Sequence, residues 1–140
     1  MKYKKFFWLL TVICAVVIFC MSSVASSGLP GNLGKFSYVA HFCEYFGLAA
    51  LLVLSIYEPS HRFLHKLWVV VAVAIVIASL YGVSDEIHQM FVPGRTPDVF
   101  DWMTDTAGAT FGAVVTTCVI KRLPNKAFLC GKNGNDQGVE

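Results

Sequence analysis

Apolar residues fall in four long blocks along the chain, at residues 6–25, 36–57, 67–89 and 102–120. Each is long enough for a helix that crosses a bilayer, which takes about 20 residues. The first is interrupted only by Thr11 and by serines near its end. The second carries His41 and Glu44 in its first third. The third and fourth have shorter uncharged cores, so their ends should be shielded by protein or lie among headgroups. Breakers separate the blocks. Ser26-Ser27-Gly28-Leu29-Pro30-Gly31-Asn32 reads as a loop. Pro59 cannot continue the second helix, and Leu123-Pro124-Asn125 ends the fourth. The pattern predicts an all-α integral membrane four-helix bundle, with a short interfacial loop or helix between helices 3 and 4.

Composition supports that class. Of 140 residues, 56% are hydrophobic and 14% charged, against about 25% charged in a soluble domain. Lysine and arginine set the orientation, because they collect on the cytoplasmic side. Nine of the 11 fall before the first block, between the second and third, or after the fourth. Only Lys35 and Arg95 lie in the opposite connections. We therefore expect a multi-pass protein of the cell membrane with both termini cytoplasmic and residues 26–35 and 90–101 facing outward. Residues 1–25 read as a transmembrane helix. The alternative is a cleaved signal peptide, since the lysine-rich start and Ser23-Val24-Ala25 fit that pattern too. Residues 26–122 form the membrane core. Residues 123–140 are polar, glycine-rich and expected to be a disordered cytoplasmic tail. No basic-aromatic patch suits nucleic acid. Cys14, Cys20, Cys43 and Cys118 lie in apolar blocks, where cysteine acts as a small hydrophobe. Cys130 lies in the tail. Composition leaves the oligomeric state open.

The candidate chemistry sits where the third block leaves the bilayer: Asp85-Glu86-Ile87-His88-Gln89-Met90-Phe91-Val92-Pro93-Gly94-Arg95. Ionisable groups beside hydrocarbon are costly and default to a functional reading. Asp85, His88 and Gln89 share a helix face at i, i+3 and i+4. Asp85 and Glu86 are about 100° apart around the helix, so one should point into the bundle and the other toward a neighbouring loop or Arg95. Pro93-Gly94 fits the centre of a type II turn, with glycine supplying the positive φ. Arg95 then turns back toward the acids or an anion, and a salt bridge to Glu86 or Asp101 is the expected resting state. Thr96 is expected to cap the fourth helix, with Pro97 at its first position and Asp98 as a first-turn acid.

Two further groups join this string. His41, Glu44 and Tyr45 share one face of the second helix, with Leu48 and Leu52 continuing the stripe inward. They read either as a histidine tuned by a carboxylate or as a polar staple between helices. Asp101 and Asp105 are i, i+4, and Gly108 and Gly112 extend their side as a GxxxG pattern that permits close packing. It should seat the fourth helix and aim both carboxylates inward. Histidine and carboxylates are possible metal ligands, but no HExxH or comparable spacing occurs. No metal and no other cofactor is expected. Ser84 adjoins Asp85 without a nucleophile motif such as GxSxG.

The string Ser84-Asp85-Glu86-Ile87-His88-Gln89-Met90-Phe91-Val92-Pro93-Gly94-Arg95, with Asp101, Asp105 and Gly108-Ala109, resembles the VanZ-like family. His41-Phe42-Cys43-Glu44-Tyr45-Phe46-Gly47-Leu48 also looks like that family's second-helix signature. The likeness covers roughly residues 20–120. Two positions depart. Tyr38 stands where members often carry lysine or arginine, with Lys35 one turn earlier. The Asp105 position is asparagine in many members. The resemblance implies a small multi-helix membrane protein. The namesake's association with teicoplanin resistance implies action at the outer membrane face, among lipid-linked cell-wall precursors.

The residues support a protein that binds a membrane lipid or a polar or anionic lipid-linked ligand at the outer interface, through His41, Glu44, Asp85, Glu86, Gln89, Arg95, Asp101 and Asp105. The alternative is an enzyme on a lipid-linked or envelope substrate. His41 or His88 would then be the base and Glu44, Asp85 or Glu86 its orienter. A proton relay ranks last, because the inner halves of the four blocks carry no acid, histidine or basic residue.

Overall fold

The structure is a computed structural model, and it describes residues 2–24, 34–58 and 66–122. The expected loop at 26–32, the breaker Pro59, the Leu123-Pro124-Asn125 stop, Cys130 and the tail lie outside the described residues, as does the side chain of Lys35.

Four helices account for nearly all of it: α1 Lys2–Ser22, α2 Gly34–Ile56, α3 Leu67–Gln89 and α4 Val99–Arg122. All are long and apolar enough to span a bilayer, so the chain is an all-α multi-pass membrane protein. Their outward faces carry large apolar side chains, among them Leu9, Val39, Trp68, Leu80 and Phe111, as helices bathed in lipid require. The inward faces are small or polar. Ala49, Ala74, Ala78, Ala109 and Ala113 are fully buried, around Tyr45, Val53 and Ile18.

In lipid, burial of apolar surface drives no association, so close packing and hydrogen bonds must hold the helices. The most extensive contact is α2 on α4. There Gly108 lies on the Phe42 backbone and Gly112 on the Phe46 backbone; a Cβ at either glycine would overlap the carbonyl oxygen beneath it. Both contacts advance four residues on both chains, so α2 and α4 run parallel and in step. Sequence neighbours in this bundle are antiparallel, α1 and α3 run parallel, and polar bridges tie them. Thr11 on α1 meets Ser55 on α2 at 3.0 Å, and Lys4 pairs with Glu58 at 2.8 Å near that end. The Tyr81 hydroxyl on α3 donates to the Ala15 carbonyl on α1 at 2.7 Å. Ser79 on α3 meets Thr106 on α4 at 3.0 Å.

The α3–α4 connection is a loop. The Arg95 N–H donates to the Val92 carbonyl at 3.1 Å, and Gly94 has φ 78°, the backbone a type II turn demands at that position. The start of α4 differs from expectation. Asp98, not Thr96, is the N-cap. Its Oδ1 accepts from the Phe100 N–H at 2.9 Å, and its carbonyl accepts the first helical bonds, from Asp101 and Trp102. The Asp98 N–H, which no helical carbonyl can reach at this position, is taken by Glu86 Oε2.

Gly108→Ala and Gly112→Ala should each destabilise the bundle by about 1–3 kcal/mol, the usual cost of overpacking a tight contact. Gly47→Ala, with nothing within 4 Å of a new Cβ, should be neutral or stabilising by up to about 1 kcal/mol through helix propensity. Unfolding of the purified protein in mixed micelles by denaturing detergent reads both.

Candidate functional site

The C-terminal ends of α1 and α3 and the N-terminal ends of α2 and α4 meet at one end of the bundle. The ionisable residues of α2, α3 and the first half of α4 collect there. His41, Asp85, Glu86, Gln89, Asp101 and Asp105 are buried; Glu44, His88 and Arg95 are half-buried.

The in-step packing of α2 and α4 sets the first pair. With Gly108 on Phe42, the neighbouring residue His41 falls opposite Asp105, one turn toward the helix starts. His41 Nδ1 lies 2.9 Å from Asp105 Oδ1. Nδ1–H donates to this oxygen when Asp105 is ionised, and Nε2 points to the other side of the ring. That Nε2 stands 4.0 Å from Asp101 Oδ2, beyond hydrogen-bond range. Asp105 is wholly buried, and its Oδ2 lies against Gly82 of α3, where a Cβ would come within 3.0 Å.

The adjacent acids of α3 part company as their angular separation requires. Asp85 faces α1 and its own helix. Its Oδ2 accepts from Ser22 Oγ at 2.7 Å and from Gln89 Nε2 at 3.1 Å. Glu86 faces α4, and its Oε2 accepts the Asp98 backbone N–H at 2.8 Å. Glu86 is thus the acid that holds the neighbouring loop. Asp98 itself is fully engaged: its Oδ2 also accepts from the Tyr38 hydroxyl at 3.2 Å.

Two residues lie elsewhere than their motif suggests. Arg95 does not pair with Glu86 or Asp101. Its Nε donates to the Val24 carbonyl at 3.3 Å, and it forms no ion pair among the described residues. Glu86 meets the loop through Oε2 alone. The carbonyls past a helix end lack partners, and the turn aims Arg95 at those of α1. His88 also turns to α1. Its Nε2 is 2.9 Å from Ser23 Oγ, and its ring lies on Phe19 with centroids 4.4 Å apart. Glu44 makes no hydrogen bond or ion pair with any described residue.

Several buried atoms have no partner among the described residues: one oxygen each of Asp85, Glu86, Asp101 and Asp105, and the Tyr45 hydroxyl. The ligand atoms of His41, Glu86 and Asp105, from three helices, lie within 4.8 Å of one another. Beside them a cleft of about 300 Å³ opens between α3 and the start of α4, lined by Val83, Glu86, Ile87, Met90, Pro97, Asp98, Val99 and Trp102.

Sequence reasoning did not single out Ser22, Ser23, Gly82 or Trp102. Ser22 and Ser23 are the polar pair that closes the first apolar block, a weak signal that becomes specific only once α1 lies beside Asp85 and His88. Trp102 donates Nε1–H to the Ser79 carbonyl at 3.2 Å and forms part of the cleft wall.

A family model described as VanZ/LLP1 matches residues 6–121. No match was found among curated proteins or among solved structures.

Removing a donor from a buried carboxylate leaves the charge less satisfied, at about 1–3 kcal/mol. Ser22→Ala should destabilise the bundle by that amount. In an Asp85→Ala background the same change should cost almost nothing. A double-mutant cycle on detergent-induced unfolding measures the coupling, and strict additivity would show that the Ser22–Asp85 bond has no energetic weight.

Proposed function

This chain belongs to the VanZ/LLP1 family, and from that premise we propose that it binds the polar or anionic headgroup of a membrane lipid or lipid-linked ligand. The reading carries an orientation with it. Both termini lie in the cytoplasm, the acid-rich end of the bundle faces the outer leaflet of the cell membrane, and α1 is retained rather than cleaved. The lysine and arginine distribution supports the orientation. The hydrogen bonds from Ser22 and Tyr81 to and from α1 support its retention.

The observation that carries the reading is the state of Arg95. It sits half-buried at the rim, tethered only through Nε, with no carboxylate paired to its guanidinium among the described residues. An arginine near hydrocarbon whose terminal donors meet no carboxylate of a described residue suits a phosphate or carboxylate. The cleft between α3 and the start of α4 has an apolar wall of Val83, Ile87, Met90 and Trp102 that suits an acyl or prenyl chain. In the family's terms, a protein that shields lipid-linked cell-wall precursors at that leaflet would lower susceptibility to a lipophilic glycopeptide such as teicoplanin.

The enzyme reading has one observation in its favour: Asp105 holds Nδ1 of His41 as an orienting carboxylate holds a base. Its weakness is the other nitrogen. Nε2 faces Asp101 in a buried position, not a nucleophile. The serine–histidine contact between Ser23 and His88 does not repair this, because the Ser23 hydroxyl donates to the Phe19 carbonyl at 2.7 Å. Binding is the better-supported function.

Native mass spectrometry of the purified protein with phosphatidylglycerol, phosphatidylcholine and extracted envelope lipids tests it. The wild type should retain an anionic lipid in preference to phosphatidylcholine. Arg95→Ala should lower that retention about tenfold, the loss of one charge-assisted contact. Arg95→Lys should restore it in part, lacking the planar fork. Equal retention in wild type and Arg95→Ala would end the proposal. Reporter fusions at both termini should read cytoplasmic; a periplasmic or extracellular readout at either would invert the orientation.

A further inference from the structure

We propose that His41, Glu86 and Asp105, with Asp101 as a nearby negative charge, form a binding site for a divalent first-row transition ion, Zn²⁺ or Mn²⁺. This does not rest on the lipid-binding reading. It revises the expectation from sequence spacing, which looks for ligands near one another along the chain. Here they come from α2, α3 and α4.

Three observations carry the site. The first is geometric. One ligand atom each from His41, Glu86 and Asp105 lies within 4.8 Å of the other two, and all three residues are buried. Ligands bound at about 2.0–2.2 Å sit about 3–4 Å apart around an ion, so a contraction of about 1 Å closes the site. Asp101 Oδ2, 4.0 Å from His41 Nε2, is too far for a hydrogen bond and adds its charge on the other side of the ring.

The second is the orphaned atoms. Glu86 Oε1, Asp101 Oδ1 and Asp105 Oδ2 are buried and accept no hydrogen bond from a described residue. Asp105 is 0% exposed. Each of these oxygens has lost water without a replacement, a cost that the Asp98 N–H on Glu86 and the His41 ring on Asp105 offset only in part. The third is charge. Asp85, Glu86, Asp101 and Asp105 are buried together, and among the described residues no lysine or arginine pairs with any of them. Buried carboxylates need a counter-charge. One imidazole supplies at most one positive charge; a dication matches the two coordinating carboxylates, Glu86 and Asp105.

The donor set selects the ion. Mg²⁺ and Ca²⁺ prefer oxygen-only shells. A histidine nitrogen with carboxylate oxygens suits Zn²⁺ or Mn²⁺. His41 Nδ1 and Asp105 Oδ1, 2.9 Å apart, already stand at the spacing of two ligands on one ion, so the ion would take the place of the proton between them and Nδ1 would be the coordinating atom.

The test uses the full-length protein in detergent with any affinity tag removed. After chelator treatment and dialysis, equilibrium binding of Zn²⁺ and Mn²⁺ is followed by elemental analysis. One ion per chain should bind, undisplaced by a tenfold excess of Mg²⁺ or Ca²⁺. The Co²⁺-loaded protein should show visible ligand-field bands, which disappear in His41→Gln. His41→Gln, Glu86→Gln and Asp105→Asn should each weaken binding at least tenfold, with helicity by circular dichroism and gel-filtration behaviour unchanged. Should a variant fail that folding check, Asp101→Asn replaces it, with a smaller loss expected. Wild type that binds no ion would overturn the site, as would binding that survives in every correctly folded variant.

Discussion

The architecture turns on the seating of α4 against the backbone of α2. Gly108 and Gly112 present no side chain, so the two helices close to backbone contact over Phe42 and Phe46. In a bilayer this is how association is gained, because lipid surrounds apolar side chains as well as protein does. Two glycines one turn apart, over two residues one turn apart, permit a single register. That register brings His41 to Asp105, a turn nearer the helix starts. The remaining helices then add to a fixed frame: α3 through Gly82 and Ser79, α1 through Thr11 and Ser22.

The polar end divides along α3. Asp85 and Glu86 are neighbours in sequence but about 100° apart on the helix, and each recruits a different element. Asp85 takes Ser22 from α1 and Gln89 from the next turn; Glu86 takes the backbone at the start of α4. On the α1 side are His88 with Ser23 and Arg95 with Val24. On the α4 side are His41 with Asp105 and Asp101. The one dipeptide thus anchors the first helix and shapes the start of the last.

Helix number, type and approximate span were legible because four apolar blocks admit no other reading at that length. The turn at Pro93-Gly94 was legible because its chemistry is local. The partners of Arg95 and the cap of α4 were not. A sequence shows that an acid is present without showing which donor reaches it: here Glu86 accepts the Asp98 N–H, Asp98 caps the helix with Thr96 outside it, and Arg95 reaches the Val24 carbonyl just past α1. The His41–Glu86–Asp105 cluster was hidden for a different reason. Its members are 64 residues apart at the extremes, and only the α2–α4 register brings them together.

A polar staple between helices would explain some of these groups but not their number. Staples work by mutual satisfaction: Thr11 with Ser55 and Ser79 with Thr106 each close on one another and leave little unused. The carboxylates do not behave that way. Each of the four buried acids at the polar end keeps an oxygen that bonds to no described residue. Those oxygens add desolvation cost and no adhesion. Replacing buried ion pairs by apolar residues is often neutral or stabilising, so a bundle needing adhesion alone has simpler solutions than four acids around one histidine. What the acids offer beyond packing is a set of lone pairs held by three helices. A cation fits that surplus, and Arg95 at the rim offers the opposite chemistry to an anion. The same end of the bundle therefore presents donors and acceptors in separate places, as recognition of a charged ligand requires.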